Sequence, residues 1–418
     1  MNRVVVTGIG AVSPLGSSFY KSWTAVKAGV SGIAPITRFD VSNSKWKVAG
    51  EIKGFNAGKY LFQKEINRLD PFVHYAVAAA AMAAEDAKLI SFDSSLITRH
   101  SLLDSGGIII GSSRGGISTI EKELQRKYLS DTGSRTSRTS AYLMPSTTIS
   151  MASSYVAQKL GIKGYCLSIS NACASGTSAI GEAYRLIKSG YQYPVICGGT
   201  EAPICKICVE GYGALGALSK VNDYSASRPF DRTRDGFVLS EGACILVLER
   251  YESARERGVK IYGEIIGYGN TIDAFHQTIP EREGEARAIK MAINEAGLRP
   301  EDIDFINAHA PSTPIGDKTE TEAIKRLFGR NAYHIPITSI KSMTGHMLAA
   351  SGPIEAAFTF ICMSEGSIPP TINLKERDTE CDLDYVIQLR RAEIEFAVSN
   401  SFGFGGVNAV LVLKRLNA

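Results

Sequence analysis

The chain of 418 residues is 44% hydrophobic and 21% charged and carries a formal net charge of +4. This is ordinary globular composition, which excludes disordered and fibrous classes. A small net charge without a long basic tract gives no footing for nucleic-acid binding, while leaving a local basic patch for an acidic partner open.

The N-terminal run Arg3–Thr7 is apolar and β-rich but too short for a signal h-region. Nowhere does an uninterrupted apolar stretch approach the ~20 residues that a membrane span requires. The eight cysteines are too sparse for a disulfide scaffold in so long a chain. A soluble, cytoplasmic protein with reduced thiols and no membrane partner is the expectation.

The sequence Gly8-Ile-Gly-Ala-Val-Ser13 after the first run begins like a dinucleotide fingerprint. Ser13 replaces the third glycine, Pro14 and Gly16 interrupt the following helix, and no acidic residue ends a second strand where that fingerprint places one. A nicotinamide site is not expected. Further strand-like runs at 107–110, 194–197 and 243–248 alternate with helical patterns over 70–87, 174–188 and 285–296. Alternation with two-sided apolar strands predicts an α/β protein with sheets between helix layers.

Ser168-Ile-Ser-Asn-Ala-Cys-Ala-Ser-Gly176 ends a strand-like run at Cys173, and small residues then open a helix that Gly190 stops. The positive end of that helix and its free N–H groups favour thiolate over thiol, so Cys173 is a candidate nucleophile. Cys205-Lys-Ile-Cys208 is a C-x-x-C pair, but zinc wants a second pair or a close histidine pair. These two are expected to pack, and no metal site is predicted.

Two passages echo each other across the chain. Residues 236–250 and 403–415 are each a glycine turn feeding a strand that ends in charge, and Val4–Gly10 has a weaker counterpart in Tyr262–Gly269. Two halves of similar topology, joined near the polar segment 251–260, would explain both echoes. Chance similarity of strand-ending motifs is the alternative.

Asn307-Ala-His-Ala-Pro-Ser-Thr-Pro-Ile-Gly-Asp317 places His309 just beyond a strand in a Pro- and Gly-rich loop. Lys341 and His346 then share a short turn before a helix predicted over 347–363, from which Glu355 could reach back to Lys341. One cysteine, two histidines and a lysine in turns at strand ends occupy the positions where α/β folds place active sites.

Taken together, these motifs resemble the β-ketoacyl-acyl carrier protein synthases, in particular the elongating enzymes of type II fatty acid synthesis. The likeness runs through Val5–Gly16, Ala172–Gly176, Ser227–Val238, Lys341–His346 and Asn400–Gly406. It implies a thiolase-like fold of two pseudo-symmetric halves, 1–256 and 257–418, in five α-β-α-β-α layers, assembled as a homodimer. It also implies that Cys173 takes an acyl chain from acyl carrier protein and that His309 and His346 bind the malonyl thioester as it loses carbon dioxide. Lys341, paired with Glu355, would support the site, and no cofactor is implied. Backbone N–H groups of Cys173 and Phe404 would form an oxyanion hole, with Phe402, Phe404 and Tyr212 at supporting or gating positions.

Lys64, Arg68, Arg126, Lys127 and Lys206 fall where relatives present basic charge to an acidic carrier. The sequence departs from the family pattern at Asn171, Pro311 and Val407, all usually threonine. Of the threonines expected to hold the pantetheine arm in the histidine loop, Thr313 remains. A non-catalytic partner subunit would lack the nucleophile that this chain keeps. An initiating or thiolase-type synthase on coenzyme A thioesters resembles it less.

Overall fold

The computed structural model of the chain describes residues 1–93, 96–129 and 139–416. Its main sheet is built from β1 (Val4–Val12), β2 (Gly107–Gly111), β3 (Cys166–Ile169), β4 (Val195–Glu201) and β5 (Gly242–Arg250), followed by β6 (Gly263–Ile272), β7 (Phe305–Asn307), β8 (Ile337–Thr338), β9 (Phe396–Gly403) and β10 (Val407–Lys414). In space they run β8-β7-β9-β10-β6-β1-β5-β4-β2-β3.

Outward from the central seam the order is β1-β5-β4-β2-β3 on one side and β6-β10-β9-β7-β8 on the other. Pairing sense repeats as well: β2 is parallel to β3 and β4, as β7 is to β8 and β9. The antiparallel pairs β4–β5 and β5–β1 likewise match β9–β10 and β10–β6. The echoes in the sequence are therefore real structural counterparts, since 242–250 and 407–414 are β5 and β10. A short antiparallel pairing of Val4–Val6 with Gly263–Ile265 joins the halves.

The helices that matter for the site are α1 (Pro71–Asp86), α2 (Met151–Leu160), α3 (Ser175–Lys188), α4 (Lys206–Ala214), α5 (Arg282–Glu295), α6 (Pro314–Phe328) and α7 (Ser351–Glu365). Helices α1 and α2 cover one outer face, α5 and α6 the other, and α3 packs with α7 between the two halves of the sheet. That is the five-layer α-β-α-β-α arrangement. The central layer carries the largest apolar cluster, which includes Ile180 and Ile187 of α3 and Phe358 and Phe360 of α7.

Local chemistry explains the boundaries. Asp70 caps α1 by accepting from Phe72 N at 3.0 Å, and Pro71 supplies a preset φ at the first position. The Gly8-x-Gly10 pair lies within β1, where an added Cβ would stand 2.1 Å from the Ala83 carbonyl oxygen or 2.0 Å from that of Ala79. These glycines let α1 pack against the strand, so the apparent dinucleotide motif is a close sheet–helix contact. Helix α3 ends at Gly190, whose φ of +78° suits glycine.

Two boundaries differ from those predicted. Helix α5 starts at Arg282, because the Glu281 side chain caps it by accepting from Glu283 N and Gly284 N. Helix α7 starts only at Ser351, because Leu348 takes a φ of +48° in a 3₁₀ turn and interrupts the helical path after His346.

Candidate active site

Cys173, His309 and His346 line one cavity of about 310 Å³ that also reaches Tyr212, Phe402, Phe404 and Thr313. Each reactive side chain sits at the end of a sheet strand or on the turn beyond it. Cys173 follows β3 on a 3₁₀ turn that opens α3, His309 follows β7, and His346 follows the helical turn Lys341–Thr344 beyond β8. Backbone strain gathers in these turns: Ala172, Ser312 and Leu348 hold φ values of +47°, +80° and +48°. Such conformations persist only where the surroundings fix them.

The cysteine turn is held by Ser175, whose hydroxyl donates to Ala172 O at 2.6 Å and accepts from Asn171 N at 2.8 Å. The 403–406 loop presses against it. A Cβ on Gly403 would lie 3.0 Å from Asn171 O and 3.3 Å from Cys173 N, so glycine here makes the close approach easy. Phe404 lines the same cavity as Cys173, and its N–H favours negative charge on the sulfur.

The protonation state of Cys173 differs from the expectation. Burial pushes the thiol up to about 11, against the pull of Lys341 and Arg114, while Glu201 adds to the rise and the Phe404 N–H opposes it. The helix terminus and nearby cations do not outweigh desolvation. The resting nucleophile is a thiol, and Lys341 and Arg114 lower the cost of thiolate as it forms.

Both imidazoles are held neutral. Burial and then the Lys341 charge depress His309 and His346 well below the usual histidine range. Their rings stand 5.3 Å apart at 80°, with Phe237 against His346 at 5.2 Å and Phe402 against His309 at 5.9 Å. Ser351 Oγ accepts from Met347 N at 2.9 Å and lies 3.2 Å from His346 Nδ1. The contact anchors the His346 ring at Nδ1 and leaves Nε2 as its other hydrogen-bonding atom.

Lys341 Nζ meets Glu355 Oε1 at 2.5 Å, with both side chains essentially inaccessible. Sequence reasoning anticipated that pair but missed the residue that sets the His309 loop. Glu320, fully buried on α6, accepts from His309 N at 2.9 Å, Ala310 N at 2.7 Å and Asn400 Nδ2 at 2.9 Å. Asp317, three residues earlier, accepts from Ser312 N and Thr313 N at 3.0 and 3.1 Å. Its carboxyl is pushed up to about 7 by burial, against the pull of Arg234. Carboxyl groups on the helix that follows a glycine- and proline-rich loop were the available signal.

Thr313 caps α6, its Oγ accepting from Gly316 N at 3.2 Å while its hydroxyl proton stays available to the cavity. Tyr212 on α4 accepts from Arg114 Nε at 2.8 Å and lies 6.4 Å from the Phe404 ring. Cys205 and Cys208 sit on the same helix end, packed with Tyr212 and Val209. Among the described residues, no cluster of three or more histidine, cysteine or acidic side chains could hold a metal ion.

The basic candidates all fall in the N-terminal half, each with its own local partners. Lys64 and Arg68 line a groove with Tyr142, over whose ring the Arg68 guanidinium lies at 4.1 Å. Arg126 pairs with Glu123 at 2.6 Å, Lys127 Nζ reaches Thr139 Oγ1 at 3.2 Å, and the Lys206 backbone N–H donates to Glu121 at 3.1 Å. Acidic neighbours temper these charges. No described helix is long and apolar enough to cross a membrane.

The chain belongs to the beta-ketoacyl synthase family: residues 1–254 match the family's N-terminal domain and residues 262–375 its C-terminal domain. It is 47% identical, over 99% of its length and 98% of the relative's, to the 3-oxoacyl-[acyl-carrier-protein] synthase 2 of Synechocystis sp.. The enzyme of the same name from Staphylococcus aureus is 44% identical over 100% of this chain and 99% of its own. Among solved structures, the ishigamide ketosynthase/chain length factor superposes with a TM-score of 0.92 at 34% identity, over 100% of both chains. A type II polyketide acyl-carrier protein in complex with its ketosynthase bound to the hexaketide matches with a TM-score of 0.88 at 32% identity, over 99% of this chain and 100% of that one.

Proposed function

We propose that this protein is a 3-oxoacyl-[acyl-carrier-protein] synthase that lengthens an acyl chain by two carbons through decarboxylative Claisen condensation. In the first half-reaction the Cys173 sulfur attacks the acyl thioester of a carrier. A new sulfur–acyl bond forms as the carrier's thiol departs with the proton. In the second, a malonyl thioester loses carbon dioxide, and the resulting enolate carbon attacks the acyl group on Cys173. The carbon–carbon bond forms, the Cys173 thiolate is expelled, and the β-ketoacyl carrier thioester leaves.

Neutral imidazoles suit the second half-reaction, because each offers an N–H to the enolate oxygen in a site that burial keeps dry. The Lys341 charge maintains that neutrality and eases thiolate formation at Cys173. Phe404 N–H and Cys173 N–H serve the tetrahedral adduct, and Phe402, Phe404 and Tyr212 gate the acyl pocket. The chemistry is complete with these side chains and requires no metal or redox cofactor. An acidic carrier protein would dock on Lys64, Arg68, Arg126, Lys127 and Lys206. The active form would be a cytoplasmic homodimer of chains divided near residue 256.

The observation that carries this reading is the meeting of a cysteine and two neutral, buried histidines in one cavity. A non-catalytic partner subunit would have no use for that nucleophile. The test is carbon dioxide release and β-ketoacyl product from malonyl and acyl carrier thioesters, measured for wild type and His309→Ala. Wild type should form both products, and His309→Ala should still take up the acyl group while losing decarboxylation. Wild type that releases neither product would overturn the proposal.

A further inference from the structure

The cavity wall holds one polar group that the condensation does not use. Glu285, in the first turn of α5, lines the same cavity as Cys173 and His309, yet only 1% of its surface is accessible. Its Oε2 has no hydrogen-bond partner among the described residues. Its acidic neighbours on that wall are engaged elsewhere. Asp273 accepts from Asn408 Nδ2 at 2.6 Å and from Glu281 N at 3.0 Å, and Asp235 accepts from Ser219 Oγ at 2.6 Å and Lys220 N at 2.9 Å.

Burial, reinforced by the charges of Glu320, Asp273, Glu281 and Asp317, raises the Glu285 carboxyl well above the usual range. Burial thus favours the protonated carboxyl, which carries an O–H to donate. A buried donor left without an acceptor is destabilising, and a ligand carbonyl would relieve that. The cavity mouth supplies few other donors. Leu215, Ile279 and Ile315 are exposed apolar residues there, and Pro311 and Pro314 in the histidine loop carry no N–H.

We infer that Glu285 binds the amide-bearing arm of the thioester substrates, donating its carboxyl proton to an amide carbonyl as the arm passes between the mouth and Cys173. This rests on the condensing activity proposed above. Carrier-borne and coenzyme A thioesters share the same arm, so the contact serves both.

Steady-state kinetics of Glu285→Ala and Glu285→Gln test it with three donors: malonyl carrier, malonyl coenzyme A, and a malonyl thioester of ethanethiol, which has no amide. Glu285→Ala should raise KM for both amide-bearing donors about fivefold, the worth of one hydrogen bond, with kcat within about twofold. Its kcat/KM for the amide-free donor should match wild type. Glu285→Gln, which keeps an N–H donor and the side-chain shape, should restore KM. An unchanged KM overturns the inference, as does an equal loss on the amide-free donor, an effect confined to the carrier-borne donor, or failure of glutamine to rescue. A wild type that makes no product from any donor brings down the functional reading itself, a failure visible before any variant is compared.

Discussion

Removing the Lys341–Glu355 pair, one residue at a time and then together, separates its structural from its chemical role. The partners are 2.5 Å apart and both are buried to within 1% of complete inaccessibility. Lys341→Met leaves a carboxyl without its cation in the core, which costs about 3–5 kcal/mol of stability. Glu355→Leu leaves a buried ammonium and costs a similar amount. The double variant fills the space with apolar atoms, so its thermal midpoint should return close to wild type, because a buried pair and a well-packed apolar replacement are often of comparable stability.

Activity should not return with stability. At pH 8, with the Cys173 thiol near 11, about one sulfur in a thousand is ionised. Loss of the Lys341 charge raises the thiol further, and each tenfold drop in thiolate corresponds to about 1.4 kcal/mol. Alkylation of Cys173 by iodoacetamide at pH 8, read by intact mass, should therefore slow about tenfold or more in both Lys341→Met and the double variant. A double variant that recovers both midpoint and alkylation rate would show that Lys341 only fills the core.

Other expectations follow from single groups. Ser351→Ala removes the hydroxyl that anchors the His346 ring at Nδ1, so malonyl decarboxylation should slow about tenfold or more while acyl transfer to Cys173 is retained; equal loss in both would contradict that positioning role. Because both imidazoles are depressed well below their ordinary value, malonyl decarboxylation should stay flat as pH falls from 8 to 6, and an inflection near 6.5 would show that one of them titrates normally. Burial pushes Glu201 up to about 7 from an ordinary 4.5, so the folded state favours the protonated form and stability is lost as pH rises through that window. Glu201→Gln should thus stabilise by up to about 3 kcal/mol at pH 8 and by little at pH 4.5, read from unfolding midpoints at the two values.

Much of this architecture was legible because its signals are local. Strand β1 and helices α1 and α3 declare themselves through apolar runs, an Asp-Pro start and a glycine stop, and the two-half topology left its trace in the resemblance of β5 to β10. Cys173, His309 and His346 stood out because reactive residue types occurred in small-residue turns. The Lys341–Glu355 pair was accessible to reasoning because only a short stretch of chain separates the lysine from the helix that carries its partner.

What escaped depends on desolvation and on contacts distant in sequence. Glu320 reads as an ordinary charged helix residue until the fold buries it under the His309 loop. The rise of the Cys173 thiol is a balance between desolvation and two cations, which a helix terminus alone does not reveal. The Gly8-x-Gly10 motif misleads in the opposite direction, since the need for close packing against Ala79 and Ala83 produces the same pattern as a phosphate loop. The start of α7 was placed too early because no residue type at 348–350 announces the positive φ of Leu348.

The most direct test of the central claim is the intact mass of wild type and Cys173→Ala after incubation with a long-chain acyl carrier thioester, followed by malonyl carrier. An acyl mass on wild type alone, discharged as β-ketoacyl product when malonyl carrier is added, is the predicted result. No adduct on wild type from either carrier or coenzyme A donors would contradict the account.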